Sequence, residues 1–144
     1  KNKINFYGIH FKNRKFLVKM NPATILLVDD EPELRNALES GLKDRGFNII
    51  SAGDGLEALD ILKTLKPNLI ITDLKMLPMN GFDFYQNARK MKGLENIPFF
   101  FLTGIDDQLS KKYSKDLGVD TYITKPFDFN ELELIINSKL SELK

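Results

Sequence analysis

Four short apolar runs in this chain each end in a polar residue that can do chemistry, and this pattern restricts the fold more than any other feature of the sequence. The runs and the residues that follow them are 25–28 with Asp29 and Asp30, 69–72 with Asp73, 99–102 with Thr103, and 122–124 with Lys125. A short apolar run that leads into a polar loop is typical of a buried β-strand. In open α/β sheets, ligands bind outside the carboxyl ends of parallel strands. We therefore expect three carboxylates, a hydroxyl and an amine to meet in one pocket.

Segments with helical periodicity separate these runs. We predict a second strand at 47–52, helices at 33–45, 56–65, 82–91 and 106–117, and a last helix after Asp128, which has capping-box spacing to Glu131. The predicted core stripe of the second helix is Leu56, Leu59, Leu62 and Leu65. Five strands that alternate with five helices predict an α/β fold. We expect a doubly wound five-stranded parallel sheet of flavodoxin-like order 2-1-3-4-5, with helices on both faces.

The composition fits one domain of this kind. The chain has 144 residues, of which 42% are hydrophobic, and that is enough for a single core. It contains no cysteine, which excludes disulfides and thiolate metal sites and is compatible with a reducing cytoplasm. No stretch approaches the roughly 18 apolar residues that span a bilayer, and there is no apolar signal peptide. We expect a cytoplasmic protein without a membrane span.

The positive charge is concentrated near the amino terminus. Residues 1–20 hold six basic residues and no acid, whereas the remainder holds 15 basic and 20 acidic residues. Such an arm fits contact with nucleic acid or an anionic membrane, or a flexible leader, and we favour the leader. We therefore predict a flexible extension at 1–22 and a folded domain at 23–144. The histidine in the arm, His10, has no acidic neighbour, which argues against a catalytic role.

The three aspartates point to a metal and to phosphate chemistry. Carboxylates that lie close together repel one another, which raises their pKa values unless a cation holds them ionised. Oxygen ligands without histidine or cysteine suit Mg²⁺, with Mn²⁺ as an alternative, and Mg²⁺ typically joins carboxylates to a phosphate. Asp73 ends the central strand and is the best-placed nucleophile for an aspartyl phosphate. Lys125 can neutralise phosphoryl charge, and the Thr103 hydroxyl can donate to a phosphoryl oxygen.

The chain resembles the receiver domain of two-component response regulators. The matching segments are ILLVDDE at 25–31, IITDLKM at 70–76, Asn80-Gly81, FFFLTG at 99–104 and YITKPF at 122–127. Each segment alone is a weak signal, but their order and their place at strand ends make the resemblance specific. It extends from about residue 24 to the end of the chain. It implies a domain that accepts a phosphoryl group and switches conformation to signal downstream.

This resemblance implies a role for each acidic residue of the site. Asp73 is the expected phosphoacceptor, and the donor is a histidine of a sensor histidine kinase or of a phosphotransfer protein. Asp30, Asp73 and the backbone carbonyl of Lys75 are expected to bind Mg²⁺ directly, while Asp29 assists through a water molecule. Lys125 is expected to contact Asp73 before phosphorylation and a phosphoryl oxygen afterwards.

The resemblance also implies a conformational switch and a downstream partner. Thr103 and Tyr122 match the family's switch pair, in which the hydroxyl moves toward the phosphate and the aromatic ring turns inward. The small Gly104 leaves room for that movement, and the Lys125–Pro126 bond is often cis in the family. From the charged residues of the fourth helix, which include Lys111, Lys112 and Lys115, we expect a downstream effector on the face between the fourth and fifth helices, without direct nucleic-acid binding by this domain.

One departure from the family pattern lies between Asp73 and Gly81. The family usually has proline four residues after the phosphoacceptor, whereas this chain has Leu77 there and Pro78 next. The spacing to Gly81 is kept. We therefore expect an altered turn and an intact site.

Two other functions are alternatives to the receiver. A Mg²⁺-dependent phosphohydrolase would share the aspartyl nucleophile, but it normally needs a second acid nearby, and Lys75 occupies the position two beyond Asp73. A catalytically silent, receiver-like interaction module would not need the full acidic set. We therefore expect a signalling domain whose only catalysis is its own phosphorylation and dephosphorylation. Lys75 and Ile105 occupy two variable positions of the family that are expected to set the lifetime of the phosphoryl group.

Overall fold

Five strands alternate with five helices in residues 22–104, 108–119 and 121–143, which are the residues that the computed structural model describes. The elements are β1 Thr24–Val28, α1 Pro32–Asp44, β2 Asn48–Ala52, α2 Gly55–Leu62, β3 Leu69–Asp73, α3 Gly81–Arg89, β4 Phe99–Thr103, α4 Gln108–Asp116, β5 Thr121–Thr124 and α5 Phe129–Glu142. Each predicted element is present, and only the ends of the elements differ from the prediction. The basic arm and His10 lie outside the described residues, so the boundary after residue 22 stays a prediction.

The strands form a single parallel sheet of order β2-β1-β3-β4-β5. This confirms the predicted fold class and strand order. Val28 lies opposite Ala52 of β2 and Thr72 of β3. Because connections from the central strands leave toward opposite faces of the sheet, a crevice forms beyond the carboxyl ends of β1 and β3. Asp29 and Asp73 are thereby brought to the same edge.

Helices cover both faces of the sheet, which explains the nearly unbroken apolar runs. Successive side chains of a strand point to opposite faces. Ile25 and Leu27 of β1 belong to a buried cluster that includes residues of α1 and α5, whereas Leu26 and Val28 belong to a second cluster with α2 and α3. A strand covered on both faces therefore needs apolar residues at consecutive positions.

The predicted core stripe of α2 is wrong at Leu56. This side chain is 53% exposed, and the buried positions of the helix are Gly55, Ala58 and Leu62. The helix begins at Gly55 because the Asp54 side chain caps it. Since consecutive helical residues are about 100° apart, the face that contains 55, 58 and 62 turns Leu56 toward solvent.

The last helix begins where the sequence predicts, with a different cap contact. Asp128 is the N-cap of α5, but its side chain accepts a hydrogen bond from the N–H of Asn130, whereas capping-box spacing predicts the N–H of Glu131. Among the described helices, none combines the length and the apolar character required to cross a bilayer.

Candidate functional site

The polar residues predicted to converge do so at the carboxyl edge of the sheet. Asp29 follows β1, Asp73 and Thr103 are the last residues of β3 and β4, and Lys125 follows β5. The Lys125 ammonium group lies 3.5 Å from Asp73 Oδ2 and 3.8 Å from Asp29 Oδ2. Residues from three separate strand ends therefore form one charged cluster, and Thr103 lies at the same edge.

The two carboxylate oxygens of Asp73 have different surroundings. Oδ1 accepts hydrogen bonds from the backbone N–H groups of Leu74 at 2.7 Å and Lys75 at 3.3 Å. Oδ2 faces the ammonium group of Lys125. The residue is 8% exposed. One oxygen is thus fixed by the backbone, and the other faces the cation.

Asp29 is buried with one carboxylate oxygen left without a hydrogen bond. Its Oδ1 accepts from the N–H of Glu31 at 2.9 Å, but Oδ2 has no hydrogen-bond partner, because the Lys125 nitrogen at 3.8 Å is too distant to donate. Burial raises the pKa of Asp29, and the Asp73 charge adds to that effect, while the Glu31 N–H and Lys125 oppose it. A buried anionic oxygen without a partner is costly. A cation at this place would remove that cost.

Asp29, Asp30 and Asp73 each offer a carboxylate oxygen, and these three oxygens lie within 4.8 Å of one another. Asp30 is exposed, whereas the other two are buried, so the cluster opens to solvent on the Asp30 side. Hard oxygen donors on a solvent-accessible edge fit Mg²⁺, which keeps several of its water molecules when it binds to proteins. The residues present therefore fit the predicted metal.

Lys125 is held over the site by its own backbone. Its N–H donates to the carbonyl oxygen of Thr103 at 2.6 Å, which joins the end of β5 to the end of β4. The Lys125–Pro126 peptide is cis, as the family resemblance implied. The lysine side chain is only 16% exposed. The amine is therefore part of the site and not a solvated surface charge.

The two residues of the predicted switch pair lie on neighbouring strands. Thr103 is 2% exposed at the end of β4. Tyr122, on β5 opposite Phe101, is half-buried and packs against the core cluster that includes α2 and α3. A Cβ placed on the exposed Gly104 would meet no atom of the described residues within 4 Å, other than those of its chain neighbours.

The loop between β3 and α3 encloses Asp73 from the side. The N–H of Gly81 donates to the carbonyl oxygen of Leu74 at 2.9 Å, and a Cβ on Gly81 would collide with the carbonyl oxygen of Asp73. The displaced proline lies in this loop, where the Leu77–Pro78 peptide is also cis and both residues are exposed.

Lys75 and Ile105 are the two residues expected to control phosphoryl lifetime. Lys75 lies beside Asp73, and its side chain is exposed. Ile105 lies outside the described residues.

Sequence reasoning missed Arg35. Its Nη1 donates to the backbone carbonyl oxygen of Asp29 at 2.8 Å. An arginine on a predicted amphipathic helix is normally read as a solvated charge, so the sequence carries no signal for this contact.

The chain is similar to known signalling proteins along most of its length. A model of the response regulator receiver domain family matches residues 25–137. The probable transcriptional regulator ycf27 of Porphyridium aerugineum is 40% identical over 121 residues, which cover 84% of this chain and 49% of that protein. The response regulator Rre1 of Synechocystis is 35% identical, over 83% of this chain and 52% of that protein. The chain thus spans about half the length of these two relatives.

The fold is similar to that of solved structures. The chemotaxis protein CheY4 of Vibrio cholerae superimposes with a TM-score of 0.77 at 29% sequence identity. The similarity covers 81% of this chain and 98% of that one.

Proposed function

The chain belongs to the response regulator receiver family, and we propose that Asp73 is the residue that accepts its phosphoryl group. A receiver domain takes a phosphoryl group from a histidine kinase or a histidine phosphotransfer protein and signals to an effector. The observation that carries the assignment is the asymmetry of Asp73, whose Oδ1 is held by two N–H groups while Oδ2 faces Lys125.

The other two carboxylates of the cluster are worse placed to act as the nucleophile. Asp29 is 1% exposed, against 8% for Asp73, so an incoming phosphoryl group reaches Asp29 less easily. Asp30 is exposed, and Lys125 has its ion pairs with Asp29 and Asp73. Asp73 is more exposed than Asp29, has one oxygen that is not held by the backbone, and places that oxygen beside a cation.

In the proposed reaction, Oδ2 of Asp73 forms a bond to phosphorus as the bond between phosphorus and the histidine nitrogen breaks. The electron pair of the broken bond stays on the imidazole nitrogen. Lys125 lies where its ammonium group can neutralise charge on the phosphoryl oxygens, and Thr103 can donate its hydroxyl to one of them. The N–H groups of Leu74 and Lys75 hold the carboxylate in one orientation for attack.

We propose that Asp29, Asp30, Asp73 and the backbone carbonyl of Lys75 hold Mg²⁺, with Mn²⁺ as an alternative occupant. When bound, the cation would neutralise charge on the carboxylates and on the phosphoryl group. The unpartnered Oδ2 of Asp29 and the oxygen-only cluster support this proposal. Asp29 contributes charge near the site, and its contact with the cation is proposed to run through water.

The signal is proposed to leave the site through Thr103 and Tyr122. After phosphorylation, the Thr103 hydroxyl moves toward the phosphoryl group, and the half-buried Tyr122 ring turns inward to fill the space. The effector is proposed to dock on the face between α4 and α5. Leu109 and Tyr113 of α4 and Leu134 of α5 are large apolar residues with exposed side chains, so both helices offer apolar surface for docking. The Tyr113 ring also packs against Phe82 of α3.

Magnesium-dependent labelling with radioactive acetyl phosphate tests the proposed function. We expect a stable label that approaches one phosphoryl group per chain, and we expect the label to vanish when a chelator removes the metal. Continuous release of phosphate over many turnovers would instead identify a phosphohydrolase. No labelling at all would identify a silent interaction module.

A further inference from the structure

Arg35 contacts the acidic site at an atom that the proposed phosphoryl transfer does not use. It lies one turn into α1, is half-buried, and donates from Nη1 to the carbonyl oxygen of Asp29 at 2.8 Å. Its side chain therefore reaches back from the helix to the loop that carries both Asp29 and Asp30.

This contact completes the set of hydrogen bonds that hold Asp29 in place. The N–H of Asp29 donates to the carbonyl oxygen of Ala52 at 3.2 Å, and its Oδ1 accepts from the N–H of Glu31 at 2.9 Å. Arg35 holds the carbonyl oxygen. Every polar atom of Asp29 is then hydrogen-bonded except Oδ2, the oxygen that lies near Lys125.

Holding the Asp29 carbonyl also orients Asp30. The peptide group that joins Asp29 to Asp30 is planar, so fixing the Asp29 carbonyl also fixes the N–H and the Cα of Asp30. Without Arg35, this peptide can rotate and move the exposed Asp30 carboxylate away from its two neighbours. The repulsion among three carboxylates favours such a movement in the absence of a cation.

Gly53 provides the space through which the guanidinium group reaches the loop. A Cβ on Gly53 would lie 3.3 Å from Arg35 Nη1 and 3.5 Å from Glu57 Oε1. Gly53 follows β2, and its own N–H donates to Glu57 Oε1 at 2.8 Å. A Cβ at this position would push Nη1 by a few tenths of an ångström, and the further methyl groups of a valine would crowd the guanidinium group more strongly.

We propose that Arg35 is a positioning residue for the metal site, because it holds the Asp29–Asp30 peptide so that both carboxylates face Asp73 before a divalent cation binds. The inference rests on the proposed function insofar as it takes Mg²⁺ as the ligand of this cluster. Arg35 acts through the backbone and does not touch the phosphoryl group. Its loss should weaken Mg²⁺ binding and leave the labelling rate at saturating Mg²⁺ nearly unchanged.

Calorimetric titration of Mg²⁺ into the unphosphorylated full chain tests this proposal without reference to activity. Arg35→Gln should bind Mg²⁺ about 10-fold more weakly, the lower end of the cost of losing a group that orients a metal ligand. Lys43→Gln is the matched control, since it removes one positive charge from the same helix and its ion pair is with Glu39 at 2.8 Å. At about 0.15 M salt this distant charge is screened, so the control should bind like the wild type.

Equal Mg²⁺ affinity in Arg35→Gln and Lys43→Gln would overturn the proposal. A lower labelling rate of Arg35→Gln at saturating Mg²⁺, with its Mg²⁺ affinity unchanged, would also overturn it. If Arg35→Gln does not fold, Gly53→Val decides, because it keeps the arginine but occupies its path. Wild-type affinity in that variant would also overturn the proposal. If the wild-type chain binds Mg²⁺ but is not labelled, the proposed function fails while the comparison of affinities still decides the role of Arg35.

Discussion

The ammonium nitrogen of Lys125 lies 3.5 Å from Oδ2 of Asp73, and a hydrogen bond from the backbone N–H of Lys125 to the Thr103 carbonyl fixes the main chain from which this side chain extends. The same nitrogen lies 3.8 Å from Asp29 Oδ2. One cation is thus shared by two buried carboxylates. Removing the lysine charge or a carboxylate charge should therefore change metal affinity, phosphorylation rate or stability.

Replacing Lys125 with alanine should separate metal binding from phosphorylation. Mg²⁺ affinity should stay equal or rise, because a positive charge that repels the metal is removed. Labelling by acetyl phosphate should slow by on the order of 10-fold or more, because no ammonium group neutralises the phosphoryl charge. Lys63→Ala is the control, since Lys63 is exposed and pairs with Asp60 at 3.3 Å. An unchanged labelling rate in Lys125→Ala would contradict the role given to this lysine.

Replacing Gly81 with alanine should destabilise the protein by about 1–3 kcal/mol, the usual cost of forcing an extra group into a packed region. The added Cβ would collide with the Asp73 carbonyl and lie 2.9 Å from the Cα of Leu74, and neither backbone atom can move easily. Gly104→Ala adds the same group where no described residue lies within 4 Å and should change stability by less than about 0.5 kcal/mol. Urea denaturation of both variants measures the difference. Similar stabilities for the two variants would show that Gly81 is not required by its approach to Asp73.

In the metal-free protein, the contribution of Asp29 to stability should fall as pH rises above the ordinary carboxyl range. Burial raises the pKa of Asp29, with a contribution from the Asp73 charge and opposition from the Glu31 N–H and Lys125. From about pH 4 up to that raised pKa, the folded state binds more protons than the unfolded chain, so the free energy of unfolding falls with rising pH. Other carboxyl groups titrate in the same range, so a comparison with a variant is needed.

Asp29→Asn isolates this contribution. The amide oxygen can still accept the N–H of Glu31, but the residue carries no charge, so the variant should be more stable than the wild type near neutral pH in the presence of a chelator. The advantage should shrink toward about pH 4, where Asp29 of the wild type is protonated as well. Urea denaturation at several pH values measures both curves. Parallel curves would show that the buried charge of Asp29 does not limit stability.

The lifetime of the phosphoryl group should depend on the residues that flank the approach of water. An isoleucine excludes water, and a lysine stem can cover the site while its charge stays near the phosphoryl oxygens. We therefore expect slow dephosphorylation in the wild type and faster decay in the double variant Lys75→Asn, Ile105→Glu, whose side chains can orient water. Decay of the label at saturating Mg²⁺ gives both rates. Equal or slower decay in the double variant would contradict this account.

The sequence predicts the placement of Asp29, Asp73, Thr103 and Lys125 because two simple rules suffice. Apolar runs of strand length identify the strands, and the parallel topology brings their carboxyl ends to one edge. The residue that follows each run must then lie at that edge. These rules need no knowledge of individual side-chain conformations.

The features that the sequence does not reveal depend on finer geometry. The leucine spacing predicts that Leu56 is buried, but the buried face of α2 contains Gly55, Ala58 and Leu62. Small residues fill part of this face, so the leucines alone do not identify it. The contact from Arg35 to the Asp29 carbonyl depends on a side-chain conformation and on the space at Gly53. The need for glycine at position 81 comes from a close approach to the Asp73 backbone, which spacing alone cannot predict.

Identifying the phosphorylated residue tests the central claim most directly. The wild-type chain is incubated with acetyl phosphate and Mg²⁺, the acyl phosphate is reduced with borohydride, and the peptides are sequenced by mass spectrometry. We expect reduction to homoserine at position 73, and we expect Asp73→Asn to fold normally but carry no label, because its amide cannot form an acyl phosphate. Reduction at Asp29 or Asp30, or a persistent stoichiometric label on Asp73→Asn, would contradict the assignment of Asp73 as the phosphoacceptor.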